Sequence, residues 1–501
     1  MMAQEKKILH IHPHDNVVVV IKDLNVGEQV ILKQHEFRTR AAIVQGHKIA
    51  LLPIHKGDMV IKYGFPIGKA ISDIEPGEWV HTHNLFTNLE GIVDYTYTPV
   101  TYSLPTMEAE LTFDGFIRAN GEVGIRNELW IIPTVGCINK TAERLAHKFR
   151  AELPENSGVD GVHVFPHSYG CSQLGDDERR TQQTLAGLVR HPNAAGVLVV
   201  SLGCEHNHVK AFQRVLGEFD PQRVRFLIAQ ECDDEIEAGM GELRQLAAYA
   251  AQFRRQPVPV SKLKVGMKCG ASDGFSGISA NPLVGAFSDL LVASGGTSVL
   301  TEVPEMFGAE TLLLNRCRNR EVFEKCVKMI NGFKTYYLSH QQPIYENPAP
   351  GNKTGGISTL EEKSLGCIQK GGFSPVVDVL DYGEHLQIPG LNLLTGPGDD
   401  AVSITLLTAA GAQLILFTTG RGNPLGAPAP TVKISSNTRL AAQKPHWIDF
   451  NAGELLEGVD LNRLARKLFH DVLAVASGKA LTWNERNNYR EIALFKDGVM
   501  L

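Results

Sequence analysis

The sequence predicts a multidomain protein in which a small all-β domain is followed by α/β domains built on a parallel sheet. Three observations predict this. Residues 8–93 hold short β-rich runs without helical periodicity. From Phe116 onward, apolar runs alternate with amphipathic helical segments, the pattern of βαβ units. The chain has 501 residues, too many for one core, and at roughly 100–200 residues per domain about three domains are expected.

The first domain spans residues 1–93. Its runs NVVVVIKDL, EQVIL and DMVIKYG are separated by Gly, Pro and Asn. Val17–Ile21 and Met59–Ile61 suit strands, with turns near Lys56-Gly57-Asp58 and Pro76-Gly77-Glu78. Residues 94–112 are rich in Thr, Tyr and Pro and read as an extended linker. The second domain, residues 113–257, contains ELWIIPTVGC, GVDGVHVFPHSYGC and AAGVLVVSLGC, with helical KTAERLAHKFRAEL and DDERRTQQTLAGLVRH between them. A polar, proline-containing break, QFRRQPVPVSKL, leads into the third domain, residues 258–501, whose apolar runs include DLLVASGG, TSVLTEVPEM, VVDVLDYG and AAGAQLILFTTGRG.

Composition narrows the function classes. The chain is 43% hydrophobic and 21% charged, with a formal net charge of −6. That balance argues against nucleic acid, which needs a dense basic footprint. No run of about 18 apolar residues is present, so no membrane span is expected. The N-terminus has no h-region of a signal peptide, so the eight widely spread cysteines are expected as thiols, in the cytoplasm. GxGxxG at a strand-to-helix turn, a P-loop lysine, GxSxG and HExxH are all missing, which removes the usual grounds for nicotinamide, ATP or serine-hydrolase chemistry.

Three Gly-Cys pairs follow apolar runs in the second domain. Cys137, Cys171 and Cys204 would sit at carboxyl ends of parallel strands, where ligands bind. Three thiolates there suit iron, alone or as a cluster, with His167 and Glu205 as further donors. The plainer reading makes these cysteines small core residues. The first domain is rich in histidine. His12 and His14 are two apart, as are His81 and His83, a spacing that puts each pair on one face of a strand. With His47-Lys48 they would suit an anionic substrate. In the third domain, Glu302 and Glu305 follow a strand-like run and are the alternative metal ligands. Arg421 and Lys433 are anion-binding candidates. The long Gly/Pro/Asn stretch 347–367 reads as a functional loop.

Several long motifs carry a resemblance: RANGEVGIRNELWIIPTVGC, HSYGCSQLGDDE, ASDGFSGISANP, TEVPEMFGAE, ENPAPGNKTGGISTLEEKSLGC, TTGRGNP and HWIDFNAGE. Together they resemble the altronate/galactarate dehydratase family over the whole chain. The resemblance implies an N-terminal SAF-type β-clip, a second domain that makes a homodimer, and a Rossmann-like C-terminal domain. It implies dehydration of a small sugar acid, D-altronate to 2-dehydro-3-deoxy-D-gluconate and water, in hexuronate breakdown. It also implies dependence on iron(II), with manganese as substitute.

Such a reaction removes the proton beside the carboxylate, stabilises the enediolate and expels the β-hydroxyl as water. Our residue reading then makes His47, Lys48 and His167 the candidate bases. His12, His14 and His83, with Arg421 and Lys433, are the candidate substrate contacts. Cys137, Cys171, Cys204, His167 and Glu205 are the candidate metal ligands. Rival functions are a galactarate dehydratase or sulfolactate sulfo-lyase on the same scaffold, a non-catalytic sugar-acid binding protein, and a dehydratase with an iron–sulfur cluster.

Overall fold

The computed structural model describes residues 7–32, 35–106 and 111–501. Its N-terminal part is antiparallel. One sheet has the order Ile8–Leu9, Val17–Val20, Lys48–Ala50, Trp79–Val80, and another Met59–Lys62, Phe65–Ala70, Leu85–Phe86. Val17–Val20 is buried on both faces, hence its unbroken apolar run. Gly77 turns with φ of 82°, and a Cβ there would lie 2.2 Å from the Arg38 carbonyl, so only glycine fits.

The two histidine pairs do not lie on strands. His12 is in a turn closed by Asp15, whose carboxylate accepts the His12 amide at 3.1 Å. His81–Asn84 is another, closed by the Asn84 side chain at 2.9 Å. These short polar side chains bond their own backbone and break the strand, so spacing of two no longer means one face.

Residues 90–106 have no helix or strand, yet they are fastened down. The Tyr97 hydroxyl donates to the Cys317 carbonyl at 2.6 Å and the Val100 amide to Asn315 at 2.7 Å. The segment is a strap across the C-terminal domain. Residues 107–110 of the expected linker lie outside the described residues. Thr112–Ile117 is already a strand, pairing antiparallel with Gln256–Pro259. The prolines of that break sit on an edge strand, where a missing N–H costs no ladder bond.

The second domain has four parallel strands in the order Gly161–Val164, Glu128–Pro133, Ala194–Ser201, Val224–Ile228. The C-terminal domain has seven, all parallel: Val376–Leu380, Gly390–Leu394, Thr297–Leu300, Lys264–Cys269, Leu414–Thr419, Thr431–Ser435, Phe450–Asn451. In each sheet the first strand in sequence has later strands on both sides. Connections leave it in opposite directions, and a crevice opens beyond its carboxyl end, where open α/β sheets bind ligands. The crevice lies beside Glu128–Pro133 in one sheet and Lys264–Cys269 in the other. Among the described residues no helix is long and apolar enough to cross a membrane.

Candidate functional site

The C-terminal crevice holds a buried cluster of charge and sulfur. Lys264–Cys269 delivers Lys268 and Cys269. Thr297–Leu300 runs into Glu302 and Glu305. Helix Leu360–Cys367 presents Glu362, Lys363 and Cys367, and Thr359 starts it by accepting the Glu362 amide at 3.3 Å. Cys269 and Cys367 sulfurs are 3.3 Å apart, and each lies against Glu305 Oε2, at 3.2 and 3.1 Å. All three are buried, and their ligand atoms lie within 4.8 Å of one another.

Ammonium groups surround this set. Lys363 donates to Glu305 at 2.7 Å. Lys268 reaches Glu302 at 2.5 Å and Asp400 at 2.8 Å, and Lys370 reaches Glu302 at 3.2 Å. Burial alone would push the Glu305 carboxyl up, but Lys363, Lys268 and Lys370 hold it well below the usual carboxylate range. The hydrogen bond with Cys269, and then burial, push the Cys367 thiol up. Glu302 sits in the left-handed region at φ 68°, ψ 52°. A non-glycine residue there costs about 1–3 kcal/mol, and such strain concentrates at functional sites.

This donor set fits a divalent cation. Three carboxylates, Glu302, Glu305 and Asp400, already balance three ammonium groups, Lys268, Lys363 and Lys370. Exchanging the two thiol protons for one dication would keep that balance. Thr301 Oγ1, lining a space with Glu302 and Glu305, and Ser272 Oγ, lining another with Lys363 and Cys367, are buried without partners, as expected where a ligand is to be met.

The N-terminal domain caps this region. Lys48 and Lys62 share the Glu362 carboxylate, at 2.8 and 2.7 Å, across the domain junction. Burial pushes the Lys48 ammonium down to about 8, against the pull of Glu362. On Lys62 that pull outweighs burial and its pKa is raised. The Trp79 indole N–H donates to His47 Nδ1 at 3.1 Å, which places the imidazole proton on Nε2, 3.2 Å from the Thr354 carbonyl. Burial lowers the His47 pKa and takes neighbouring His81 down to about 4. A small space beneath the cap is lined by Lys62, Ser272, Asp273, Glu362, Lys363 and Cys367. Cys367 also lines a second space with Glu302, Glu305 and Lys370.

The structure therefore brings His47, Lys48, Glu302 and Glu305 to one region. Arg421 is exposed at its rim, donating to the Gly351 carbonyl at 3.0 Å. His83 is exposed beside Trp79, with ring centroids 5.1 Å apart. His12 packs edge-on against exposed His14. Lys433 is buried with its Nζ 3.3 Å from the Phe417 ring centroid and no hydrogen-bond partner, and burial lowers it to about 7.

The second-domain candidates lie elsewhere. Cys137, Cys171 and Cys204 are exposed on loops beyond the carboxyl ends of three strands, and their sulfurs are not all within 4.8 Å of one another. His167 Nε2 meets the Pro133 carbonyl at 2.8 Å and its Nδ1 accepts the Tyr169 amide at 3.2 Å, so backbone occupies both nitrogens. Glu205 accepts from Thr134, Ser201 and the Leu202 and Gly203 amides. Burial would raise it, but these bonds outweigh that and lower its pKa.

Sequence reasoning singles out KCGASDGFSG (268–277) as a loop mixing a thiol and an acid, and 347–367 as a long loop, but gives no role to Cys269, Cys367, Asp273, Glu362 or the three cluster lysines. One signal was present: SLGC occurs twice, ending at Cys204 and at Cys367. Nothing in the spacing pairs Cys367 with Cys269, 98 residues away.

Comparison with known proteins matches this architecture. Residues 6–88 match the altronate/galactarate dehydratase SAF domain. Residues 115–251 match the second domain of D-galactarate dehydratase/altronate hydrolase, and 260–500 the D-galactarate/altronate dehydratase C-terminal domain. The chain is 53% identical to altronate dehydratase of Escherichia coli (strain K12) over 98% of its own length and 99% of the relative's. It is 51% identical to altronate dehydratase of Bacillus subtilis (strain 168), over 99% and 100%. It is 34% identical to galactarate dehydratase (L-threo-forming) of Escherichia coli (strain K12), over 97% and 96%. With an N-terminal SAF domain, two parallel-sheet domains and full-length relatives of this kind, the chain belongs to the D-galactarate/altronate dehydratase family.

Proposed function

We propose that the protein dehydrates D-altronate to 2-dehydro-3-deoxy-D-gluconate, in the cytoplasm, as a homodimer joined through its second domain. The observation that carries the substrate is the gap in identity, 53% and 51% to the two altronate dehydratases against 34% to the galactarate enzyme, each over nearly the whole chain. We read the C-terminal domain as a Rossmann-like variant with its active site at the crevice under the N-terminal β-clip.

Cys269, Glu305 and Cys367 would hold a divalent cation, iron(II) or manganese(II), which would supply Lewis acidity toward oxygen. Lys48 takes the proton from C2 of the acid, since with a pKa near 8 much of it is free amine in mildly alkaline solution. His47, beside it, holds the cap against the end of helix Pro350–Thr354 through the Thr354 carbonyl. Arg421 at the rim meets the substrate carboxylate, and His83 with His12 and His14 face its hydroxylated end. Lys363, between Glu305 and Asn347, protonates the departing C3 hydroxyl, which leaves as water. The remaining enol takes a proton at C3 and becomes the 2-keto acid.

The test is an anaerobic assay with iron(II) and a thiol reductant, offering D-altronate, galactarate and sulfolactate in parallel. The expected result is a 2-keto-3-deoxy acid from altronate at the highest kcat/KM. Preferred turnover of either other substrate overturns the substrate assignment, and no turnover of any overturns the enzyme.

A further inference from the structure

We infer that the carboxyl-end rim of the second domain holds an iron–sulfur cluster through the thiolates of Cys137, Cys171 and Cys204, leaving one iron open to a small oxygen donor. This site is separate from the Cys269–Glu305–Cys367 group.

Free cysteine is among the most buried residue types. Among the described residues, the three exposed cysteines of the chain are these three, and all follow adjacent strands of one sheet. In chain order that sheet runs second, first, third, fourth, so its ligand crevice opens between Glu128–Pro133 and Ala194–Ser201. Cys137 and Cys204 lie on the loops flanking that crevice, and Cys171 lies on the next loop.

The loops are tied together. The Gly136 amide donates to the Tyr169 carbonyl at 2.9 Å, and the Asn207 amide to the Gly170 carbonyl at 3.0 Å. The Asn207 side chain donates to the Thr134 carbonyl at 3.0 Å, and the His206 ring meets the Cys171 carbonyl. Gly170 adopts φ of 102°, and a Cβ there would lie 2.0 Å from the Thr134 carbonyl oxygen. The loops approach too closely for any other residue.

Polar groups on the same loops lack partners. Gln173 Nε2, Asn207 Oδ1 and Asn139 Oδ1 are buried without hydrogen bonds, and the Gln173 and Asn207 residues are 1% and 0% exposed. Buried orphan amides call for a bound group. The harder donors nearby are committed, His167 to backbone and Glu205 to four protein donors. The donors that all three loops share are the exposed thiols, and sulfur selects soft metals. A single zinc ion with bonds of about 2.3 Å would gather its three sulfurs to about 3.8 Å apart. These sulfurs are not all within 4.8 Å of one another, so a polynuclear cluster fits better than one ion.

The experiment uses full-length protein purified without oxygen. The inference expects a brown chromophore with about four iron and about four acid-labile sulfide per chain, and an EPR signal after reduction. Cys137→Ser, Cys171→Ser and Cys204→Ser should each lose sulfide and colour with unchanged circular dichroism, while Cys232→Ser and Cys269→Ser keep both. Because the three thiols are exposed, alkylation of the unmutated protein is a second readout: they should resist iodoacetamide until the cluster is stripped. Protein without acid-labile sulfide overturns the inference, whether it holds zinc, single iron or nothing at these thiols. Sulfide that survives all three rim substitutions also overturns it.

Discussion

Lys48 and Lys433 are both buried amines with lowered pKa, and their surroundings separate them. Lys48 has Glu362 and the Gly356 carbonyl as partners and lies at the domain junction. As the base, it should make kcat/KM climb as pH rises through about 8, where its ammonium loses the proton. Lys48→Met should remove that limb and lower kcat/KM by about 10²–10⁴-fold, the usual worth of a general base. Lys433 has no hydrogen-bond partner, so its charge is a liability. Its folded pKa of about 7 lies below the unfolded value, so the unfolded chain binds more protons between about pH 7 and 10. Stability therefore rises with pH across that window, by at most about 1.4 kcal/mol per pH unit. Lys433→Met should raise Tm near pH 6–7, with the gain shrinking toward pH 10 in melting scans. A raised KM for altronate without that gain would instead give Lys433 the carboxylate-binding role.

Among the elements, helix Leu360–Cys367 links cap and cluster. Its Glu362 takes two ammonium groups from the N-terminal domain, its Glu361 accepts the Thr87 hydroxyl at 2.9 Å, and its last residue is a thiol of the metal-binding group. Glu362→Gln would leave Lys48 and Lys62 buried without their counter-charge. Breaking such a buried pair costs about 3–5 kcal/mol, to be read as a shift of the denaturant midpoint. Residues 347–367, which end in this helix, read from sequence as one long loop because they are rich in Gly, Pro and Asn. The structure corrects the conformation: Pro350–Thr354 and Leu360–Cys367 are helical. Pro and Gly obscured short helices whose first turns are closed by side chains, Asn352 accepting the Ala349 amide in one and Thr359 the Glu362 amide in the other.

At the scale of the whole molecule, the proposed metal couples a strand, a 3-10 turn and a helix from distant parts of the C-terminal chain. A ligand that binds only the folded state stabilises it by mass action. Iron(II) without sulfide, added anaerobically, should raise the Tm of the unmutated protein in a concentration-dependent way. A Cys269→Ser/Cys367→Ser double variant should show no such rise, and an equal rise in both would remove these thiols as ligands.

What the sequence determined by itself was local or repetitive. Val17–Val20, the parallel-strand runs and the Gly-Cys turns follow from periodicity and from glycine's freedom, which act within a few residues. The motifs of the resemblance placed the family for the same reason, being contiguous. Only the tertiary structure decided which charges meet. Glu362 finds Lys48 and Lys62 about 300 residues away in the chain, and Cys269 finds Cys367 across 98 residues, because strand order and domain docking set those distances. It also decided that one SLGC ends in an exposed thiol and the other in a buried one. The tetrapeptide is the same, and the difference is what packs over it: open loops beyond a sheet at Cys204, and the buried lysines and carboxylates of the C-terminal crevice at Cys367.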